Sequence, residues 1–544
     1  MILGIAITLL TACNNSESQD STSSSKSEQK GVSEKKTSAR DYSISIASAY
    51  NDIFFDSSAL VKFIADNKVD EDIARRMTSL YNARNYQFAW FTKNGLTEQA
   101  RGFWNMHSYQ TTYANDSALK DKALQKTMDD YAEEPEGFSV SASNPTIVNT
   151  ELKLTQHFIM YTLSNIEEGY VKRKEMERFI PRKKEDALAL ADSLLSKKHK
   201  DNKYYEDVNS SYKALKDKLE TYVAIAKQGG WPMVTATAKQ LKKGASSPAV
   251  VALKKRLTLT GDMPADTTAV YNDALEAGIK SFQTRYGYTA TGTLTDGQLK
   301  DMNVPVLNRI KLLLLNMGRM QWMIHEPKGQ MIVVNIPEFI LHVKDGATKV
   351  FDMPVVVGKD GHNTMMFTGN LNQIVFSPYW NVPPSIVKNE IMPAMAKNSN
   401  YLASHNMEVT SNSGGLPVIR QLPGPGNSLG RVKFLFPNSF NIYFHDTPAK
   451  SLFEKDKRAF SHGCIRLSDP VKMANYLLEG DPEWTPEKIE DAMNSGNEKF
   501  VKLKKQVPVL ITYYTAWVDD SGALHFADDI YGHDEVAMQK MFSN

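Results

Sequence analysis

The spacing of apolar residues changes near residue 329, and this change constrains the fold more than any other feature of the sequence. Before it, apolar residues recur at helical spacing, as in Leu152, Ile159 and Leu163. Beyond it, they form short β-branched runs, such as 331–336, that are bounded by turn residues. A helical part followed by a β-rich part indicates an α+β chain, and 544 residues suit about three or four domains.

Composition excludes several classes of protein. Apolar residues make up 42% and charged residues 23% of the chain, as in soluble globular proteins. The net charge of +2 argues against a dedicated nucleic-acid binder. No uncharged apolar run reaches the ~18 residues that span a bilayer. The two cysteines, Cys13 and Cys464, cannot form a multi-disulfide scaffold, so each has its own role.

The N-terminus combines a short apolar stretch, Ile2–Leu10, with small residues just before Cys13. This pattern is typical of a secretory signal, and Leu10–Cys13 resembles the bacterial lipobox. The resemblance implies that Cys13 carries a lipid and is the first mature residue. No Lys or Arg precedes Cys13, which suggests a true start upstream of Met1. A chance cysteine in an ordinary apolar N-terminus is the alternative.

The segment 14–40 is rich in Ser, Lys, Glu and Gln and predicts a flexible tether with a mean reach of roughly 30 Å. A lipid at the end of such a tether is expected to place the working domains off the membrane and outside the cytoplasm, where an unpaired Cys464 is unusual enough to mark a reactive thiol. The predicted domains follow the tether. They are a helical scaffold domain (41–243), a small helical module (244–305), a connecting helix (306–328) and a β-rich domain (329–544).

Two segments add detail to this plan. The strings 253–257, 279–283 and 292–294 resemble a three-helix peptidoglycan-binding module, with an unrelated small helical domain as the alternative. The β-rich part is interrupted at 385–430 by a helical piece and a loop rich in Gly and Pro. An insertion of this length is typical of a lid or a binding loop.

The decisive string is Ser461-His462-Gly463-Cys464-Ile465-Arg466-Leu467. A cysteine attacks as thiolate, so it needs a nearby base such as an imidazole. Gly463 lets a substrate carbonyl approach and frees backbone N–H groups to face it. Arg466 projects on the same side of a strand as Cys464 and is suited to bind a carboxylate.

His445 stands 19 residues before Cys464, and together with the Ser-His-Gly-Cys-Ile-Arg string it resembles the signature of L,D-transpeptidases with a YkuD-type catalytic domain. The order of domains is similar to that of the large Gram-negative members. The resemblance implies a multidomain α+β protein whose catalytic domain is a β-sandwich with an inserted lid. It also implies a periplasmic protein, lipid-anchored to a membrane of a Gram-negative bacterium.

The resemblance also implies a role for each site residue. Cys464 is the expected nucleophile and His445 the general base. The N–H groups of Gly463 and Cys464, helped by the Tyr443 hydroxyl, are expected to form the oxyanion hole. The remaining expected contacts are Arg466 and Trp380 on the substrate side, Ser461 in the same loop, and His462 in a positioning role. Either the Asp446 carboxylate or a backbone carbonyl orients His445.

The implied reaction forms 3→3 cross-links in peptidoglycan. Cys464 attacks a tetrapeptide stem, D-Ala leaves, and a diaminopimelate amine of a neighbouring stem takes the acyl group from the thioester. Both partners are peptidoglycan stem peptides; no cofactor, metal or nucleic acid is expected, and carbapenems are expected to inhibit. The preferred acceptor stays open between a stem, a D-amino acid, a lipoprotein lysine and water.

Cys464 also has alternative roles, and the sequence argues against most of them. A core position fits poorly with its histidine neighbours, and a zinc site lacks a second cysteine. A papain-like peptidase has its cysteine before its histidine, the reverse of His445 and Cys464. A wall-binding lipoprotein with a decayed catalytic domain is the non-enzyme alternative. For Trp380 simple packing, and for Arg466 a structural ion pair, remain open.

Overall fold

A computed structural model describes residues 37–114, 116–132, 138–165, 180–196, 206, 209–322, 329–412 and 415–543. The predicted lipid-bearing Cys13 and the predicted tether up to residue 36 lie outside this part of the chain. The predicted boundaries at 243, 305 and 328 stay predictions, because Thr37–Asn544 forms one compact unit.

Helices dominate the described residues up to 322, as their periodicity predicts. They are α1 (Ser57–Asp66), α2 (Glu71–Ala83), α3 (Glu98–Tyr109), α4 (Lys122–Ala132), α5 (Pro145–Asn165), α6 (Ala187–Leu195), α7 (Ser210–Lys227), α8 (Pro248–Leu259), α9 (Asp273–Arg285), α10 (Asp296–Met302) and α11 (Val306–Gln321). A short hairpin, β1 (Phe91–Thr92) and β2 (Gly95–Leu96), precedes α3. Side-chain caps define the helix starts: Asn209 accepts the N–H of Tyr212 at the start of α7.

The scaffold helices α1 to α5 enclose an aromatic core. The Trp90 ring lies 5.4 Å from the rings of both Phe103 and Phe158, and all three side chains are buried. Aromatic contacts of this kind stabilise a core beyond the area they bury. These aromatic contacts therefore stabilise the core of the scaffold.

One buried glutamine of the small module (244–305), Gln283, holds a turn of the chain in place. In α9, Phe282 is fully buried in the core and Gln283 is buried beside it. The Gln283 amide donates to the Thr293 carbonyl at 2.9 Å and accepts from the Gly292 N–H at 2.8 Å. A Phe-Gln pair followed by a glycine turn thus closes α9 onto the segment before α10.

The predicted connecting helix, α11, lies at the centre of a core shared by several parts of the chain. Its run Leu312–Leu315 is buried throughout. Its Asn316 side chain exchanges two 3.0 Å hydrogen bonds with Thr515, and Arg319 pairs with Asp534 at 2.6 Å. This helix therefore fixes the module, the last scaffold helices and the C-terminal segment to one another.

The β-rich part is confirmed. Its strands are β3 (Gln330–Asn335), β4 (Ile340–Asp345), β5 (Thr348–Gly358), β6 (Phe367–Phe376), β7 (Trp380–Asn381), β8 (Met407–Ser411), β9 (Val418–Gln421), β10 (Val432–Leu435), β11 (Phe444–His445), β12 (Ala459–Ser461), β13 (Ile465–Leu467), β14 (Lys499–Thr512), β15 (Ala516–Val518) and β16 (Leu524–Phe526). Nine of them form one sheet in the order β12-β5-β13-β11-β10-β6-β14-β3-β4.

That sheet closes on itself, because β4 also pairs with β5. The inward residues of these strands form one apolar core, and helices α15 (Pro470–Leu477) and α16 (Pro486–Asn494) pack against it. The predicted sandwich is thus built from a single continuous sheet. Closure leaves few unpaired strand edges.

The predicted hairpin at 519–522 is present, as β15 pairs antiparallel with β16. Its position was not expected, because Leu524 and Phe526 pack into the core of the module and α11. Arg285 of α9 donates to the Leu524 carbonyl at 2.7 Å. The hairpin is followed by the last helix, α17 (His533–Met541).

The insertion forms a small subdomain. Its helical piece, predicted at 385–398, comprises α12 (Pro384–Ile386), a π-helical turn (Val387–Ile391) and α13 (Met392–Lys397), followed by α14 (Tyr401–Ser404). Strands β8 and β9 were not predicted; β9 pairs with both β7 and β8 in a separate three-stranded sheet. Val382, Val387, Ile391 and Ile419 form its own apolar cluster. In the part of the chain that the structure describes, no helix has the length and apolar character needed to cross a membrane.

Candidate active site

The parallel pairing of β11 with β13 creates the site. Phe444 stands opposite Ile465 and His445 opposite Arg466. Phe444 and Ile465 are fully buried in the core below the sheet. Because side chains alternate along a strand, their neighbours project from the opposite face.

Four side chains consequently share that face: Tyr443 and His445 from one strand, Cys464 and Arg466 from the other. The Tyr443 and His445 rings lie 5.8 Å apart. A separation of 19 residues in sequence is thus removed by one strand pairing. The structure brings together the expected nucleophile, the expected base and two of the expected contact residues.

Cys464 is half-buried, and its thiol faces the Asn441 carbonyl oxygen at 3.7 Å. Burial raises the pKa of this thiol, while the backbone N–H and hydroxyl of Tyr443 and the Arg466 charge oppose the increase. Burial, together with the adjacent sulfur, raises the pKa of the Tyr443 phenol well above its usual value. The Tyr443 hydroxyl is therefore a neutral donor beside the sulfur.

His445 is oriented by the main chain. Its Nδ1–H donates to the Asp446 carbonyl at 2.5 Å, which leaves Nε2 as the basic nitrogen. The Asp446 carboxylate instead accepts from the Arg431 N–H at 2.9 Å and from Lys450 at 2.7 Å. Of the two groups that the sequence offers for this role, the backbone carbonyl is the one that holds the imidazole.

Burial, and next the positive charge of Arg466, lower the pKa of His445 to about 3. With the pKa of Cys464 raised, both groups are neutral at neutral pH. The free site therefore holds a thiol and an imidazole and not a preformed ion pair. Proton transfer from sulfur to nitrogen then accompanies attack on a substrate.

This arrangement predicts how the free thiol responds to pH. The thiolate fraction of Cys464 grows about tenfold per pH unit below its raised pKa, because ionisation follows the proton concentration. We expect the iodoacetamide rate to rise steadily from pH 6 to pH 9, without a step near the usual histidine pKa. Mass spectrometry of the Cys464 peptide measures the rate of alkylation at each pH. A rate that is flat across this range would instead indicate a thiolate–imidazolium pair.

Arg466 is half-buried, and burial lowers the pKa of its guanidinium. Its Nε has no hydrogen-bond partner, and no ion pair involves it among the residues the structure describes. A structural ion pair is therefore not what places it here. An unpaired guanidinium beside the thiol is suited to hold a carboxylate, and this role stays a prediction.

The loop that carries Cys464 differs in one respect from the expected oxyanion hole. Gly463 has a φ of +108°, a conformation that favours glycine. Its N–H donates to Ser461 Oγ at 3.1 Å, and that hydroxyl donates to the Cys464 carbonyl at 2.5 Å. Of the two expected donors, the Cys464 N–H has no hydrogen-bond partner among the described residues. The Gly463 N–H must leave Ser461 before it can donate to an oxyanion.

Sequence reasoning missed the residue that fixes this loop. Thr364 Oγ1 donates to the Gly463 carbonyl at 2.7 Å and accepts from the Gly358 N–H at 2.9 Å. The Tyr531 hydroxyl accepts from the Thr364 N–H at 3.2 Å. These residues lie far from Cys464 in sequence, and no local signal marks them.

His462 contacts the insertion, and Trp380 belongs to its sheet. The exposed His462 ring lies 4.7 Å from the His362 ring, and its Nε2 lies 2.9 Å from a Glu390 oxygen of the insertion. Trp380 belongs to the sheet of the insertion and packs against its apolar cluster, which fits the packing alternative for this residue. Within the described ranges, no cluster of three His, Cys, Asp or Glu side chains is arranged to hold a metal ion.

Family models match three segments of the chain. Residues 329–485 match the model described as L,D-transpeptidase catalytic domain (YkuD). Residues 75–219 match a scaffold domain, and residues 246–302 match a "Putative peptidoglycan binding domain". The fold and these matches define residues 329–485 as a catalytic domain of the acyltransferase class. This segment is similar to the YkuD family of L,D-transpeptidase catalytic domains.

Among curated proteins, a "Putative L,D-transpeptidase" of Haemophilus influenzae (strain ATCC 51907 / DSM 11121 / KW20 / Rd) is 30% identical over 219 residues. The alignment covers 37% of this chain and 44% of that protein. The chain therefore matches less than half the length of this curated relative.

Solved structures of L,D-transpeptidases overlap only loosely. The match to L,D-transpeptidase (Yku) from Stackebrandtia nassauensis has 16% identity and a TM-score of 0.22. It covers 50% of this chain and 93% of that chain. The Mycobacterium smegmatis enzyme is 15% identical, with coverages of 34% and 58% and a TM-score of 0.19. L,D-transpeptidase 3 from Mycobacterium tuberculosis with a faropenem-derived adduct is 14% identical, with coverages of 34% and 60% and a TM-score of 0.18.

Proposed function

We propose that this protein is a peptidoglycan L,D-transpeptidase that forms 3→3 cross-links. The observation that carries the proposal is the pairing of β11 with β13, which sets Cys464 beside His445, Tyr443 and Arg466 within a YkuD domain. The matched peptidoglycan-binding domain supports the same substrate class.

In the first step, Cys464 Sγ attacks the carbonyl carbon of the third stem residue. The thiol proton passes to His445 Nε2, and the Cys464 N–H and Tyr443 hydroxyl face the developing oxyanion. The C–N bond to D-Ala breaks, and His445 returns the proton to the departing amine. Arg466 holds a stem carboxylate. The product is a thioester on Cys464.

In the second step, a diaminopimelate amine of a neighbouring stem attacks the thioester carbonyl. A C–N bond forms, the C–S bond breaks, and the amine proton returns to sulfur through His445. Because the thioester conserves the energy of the broken peptide bond, no nucleotide is consumed. Water competes with the amine, which gives the insertion its task of covering the thioester.

The direct test uses purified protein and a defined disaccharide-tetrapeptide. We expect mass spectrometry to show a dimer that has lost one D-Ala, and fragmentation to show the diaminopimelate–diaminopimelate bond. Release of D-Ala with a tripeptide as the sole product would assign a carboxypeptidase instead. Binding without any covalent change would assign a wall-binding protein.

The contact between Glu390 and His462 links the insertion to the loop of the nucleophile. Burial, and the nearby Lys359 and His362, lower the pKa of His462 against the influence of Glu390, so a neutral ring donates to the carboxylate. The contact is solvent-exposed, and such contacts contribute about 0.2–1 kcal/mol. Because Glu390→Ala loses this free energy, we expect the ratio of hydrolysis to transfer to rise roughly 1.4–5-fold.

Product ratios from one muropeptide reaction measure this effect. Lys388→Ala is the matched control, since Lys388 is exposed on the same π-helical turn. Acylation of Cys464 should be equal in all three proteins. An equal product ratio in Glu390→Ala and Lys388→Ala would remove Glu390 from any role in closing the insertion.

We also propose that a lipid on Cys13 anchors the protein to a membrane of a Gram-negative bacterium, with its domains in the periplasm. The apolar stretch and small residues before Cys13 support this proposal. A carbapenem is the proposed inhibitor, through acylation of Cys464.

A further inference from the structure

A cavity of about 720 Å³ lies between the scaffold and the catalytic domain. Helix α3 and the residues just before it line one side. The other side consists of segments 360–368 and 437–440 and helix α17. None of its described lining residues belongs to the insertion. Its volume falls within the range of small-ligand sites, about 300–1,000 Å³.

One end of the cavity adjoins the nucleophile. Thr364 lines the cavity and donates to the Gly463 carbonyl at 2.7 Å. Phe440 also lines it and directly precedes Asn441, whose carbonyl faces the Cys464 thiol at 3.7 Å. The cavity thus approaches the catalytic loop through segments that the insertion does not occupy.

Four lining residues contain buried polar atoms that have no hydrogen-bond partner among the described residues. These atoms are Trp104 Nε1, Ser108 Oγ, Arg319 Nη2 and Asn363 Oδ1, and Trp104 is only 7% exposed. Buried polar groups in proteins are almost always paired, since an unpaired one is costly. Both walls of the cavity therefore hold unpaired polar atoms enclosed beneath their surface.

The charged side chains that line the cavity indicate which class of ligand it binds. Arg101 and Lys540 line it, and neither forms an ion pair within the part of the chain that the structure describes. Burial lowers the pKa of both groups, and the charge of Arg101 lowers that of Lys540 further. Unpaired cations in a partly buried site favour an anionic ligand.

The carboxylates whose charges act on these two cations are already engaged. Glu98 pairs with Arg319 at 2.5 Å, and Asp52 pairs with Lys93 at 2.8 Å. Among the described residues, the Arg101 guanidinium donates only to the Leu96 carbonyl, at 3.0 Å. Among the described residues, the lining therefore holds two cations and one carboxylate, Asp360, that form no ion pair, which suits a peptide that bears both carboxylates and an amine.

We propose that this cavity binds the acceptor stem peptide. Arg101 and Lys540 hold its carboxylates, and its free amine reaches the thioester on Cys464 past Thr364. This inference rests on the proposed transpeptidase function and adds a second substrate site to it. The donor stem occupies the side of Cys464 that the insertion covers.

The test separates the two steps of the reaction in the full chain. In Arg101→Gln/Lys540→Gln, we expect unchanged D-Ala release and an unchanged acyl-enzyme mass. The KM for a tetrapeptide acceptor should rise about tenfold or more, because charge-assisted hydrogen bonds are lost. Transfer to glycine, which is too small to span the cavity, should be unchanged. The melting temperature should stay equal or increase, since two like charges are removed.

Lys62→Gln/Lys502→Gln, which removes two exposed charges outside the cavity, is the matched control. If the double variant acylates normally and its acceptor KM equals that of the control, the inference is overturned and the proposed function is not. Absence of acylation in the unmodified protein would overturn the proposed function. Should the double variant not fold, Lys540→Gln alone removes one of the two cations that line the cavity. A severalfold rise in acceptor KM then supports the site, and an unchanged KM refutes it.

Discussion

Replacing Cys464 by alanine is expected to abolish cross-linking and every covalent intermediate. The sulfur forms the bond that conserves the peptide energy, and none of the other groups on this face of the sheet can replace it. Cys464→Ala leaves the main-chain donors and Arg466 in place, so stem binding should persist. We expect turnover below detection with muropeptides and no mass increase with a carbapenem.

The unmodified protein should gain one carbapenem mass at Cys464. A ligand that occupies the site is a sharper probe than a simple alkylating reagent, because the free thiol is neutral. Cys464→Ala should melt at a temperature close to that of the unmodified protein, since Cys464 is only half-buried. Cross-linked dimer from this variant would end the assignment of Cys464 as nucleophile.

Replacing His445 by glutamine is expected to lower the acylation rate by roughly 10²–10⁴-fold, the usual effect of losing a general base. The reason is the raised pKa of Cys464, which leaves too little thiolate without proton transfer to Nε2. The residual rate should rise steeply with pH as the thiolate forms without help. Stopped-flow measurement of carbapenem acylation gives the rate directly.

His405→Gln, on the exposed surface of the insertion, is the control for loss of a histidine. Because His445 is only 4% exposed, circular dichroism must show that the variant remains folded. A folded His445→Gln protein that acylates within threefold of the unmodified rate would show that another group accepts the thiol proton.

The sequence predicted the components of the site better than their arrangement. The catalytic string is contiguous, so Gly463, Cys464 and Arg466 were evident together, and the resemblance supplied His445. The pairing that unites them is parallel and non-local, and periodicity carries no information on strand partners. The engagement of Gly463 by Ser461 also depends on a local backbone rotation that composition does not encode.

The remaining differences have the same physical origin. Thr364 and Glu390 contact the catalytic loop from segments far away in the chain, and each is an ordinary polar residue in its own sequence context. The hairpin of β15 and β16 was predicted from its turn residues, but its docking on the module depends on Arg285. Helix α11 has the periodicity of any amphipathic helix and gave no sign that several parts of the chain converge on it.

The burial of α11 between the module and the C-terminal segment has a consequence for how the wall is engaged. A module joined by a free hinge samples many orientations, whereas one that shares a core with its neighbours keeps a constant distance and angle to the thiol. Under the proposed function, a glycan strand bound by such a module presents its stems to Cys464 at intervals set by the repeat of the polymer. The spacing of cross-links along a strand is then a property of the folded protein as well as of the substrate.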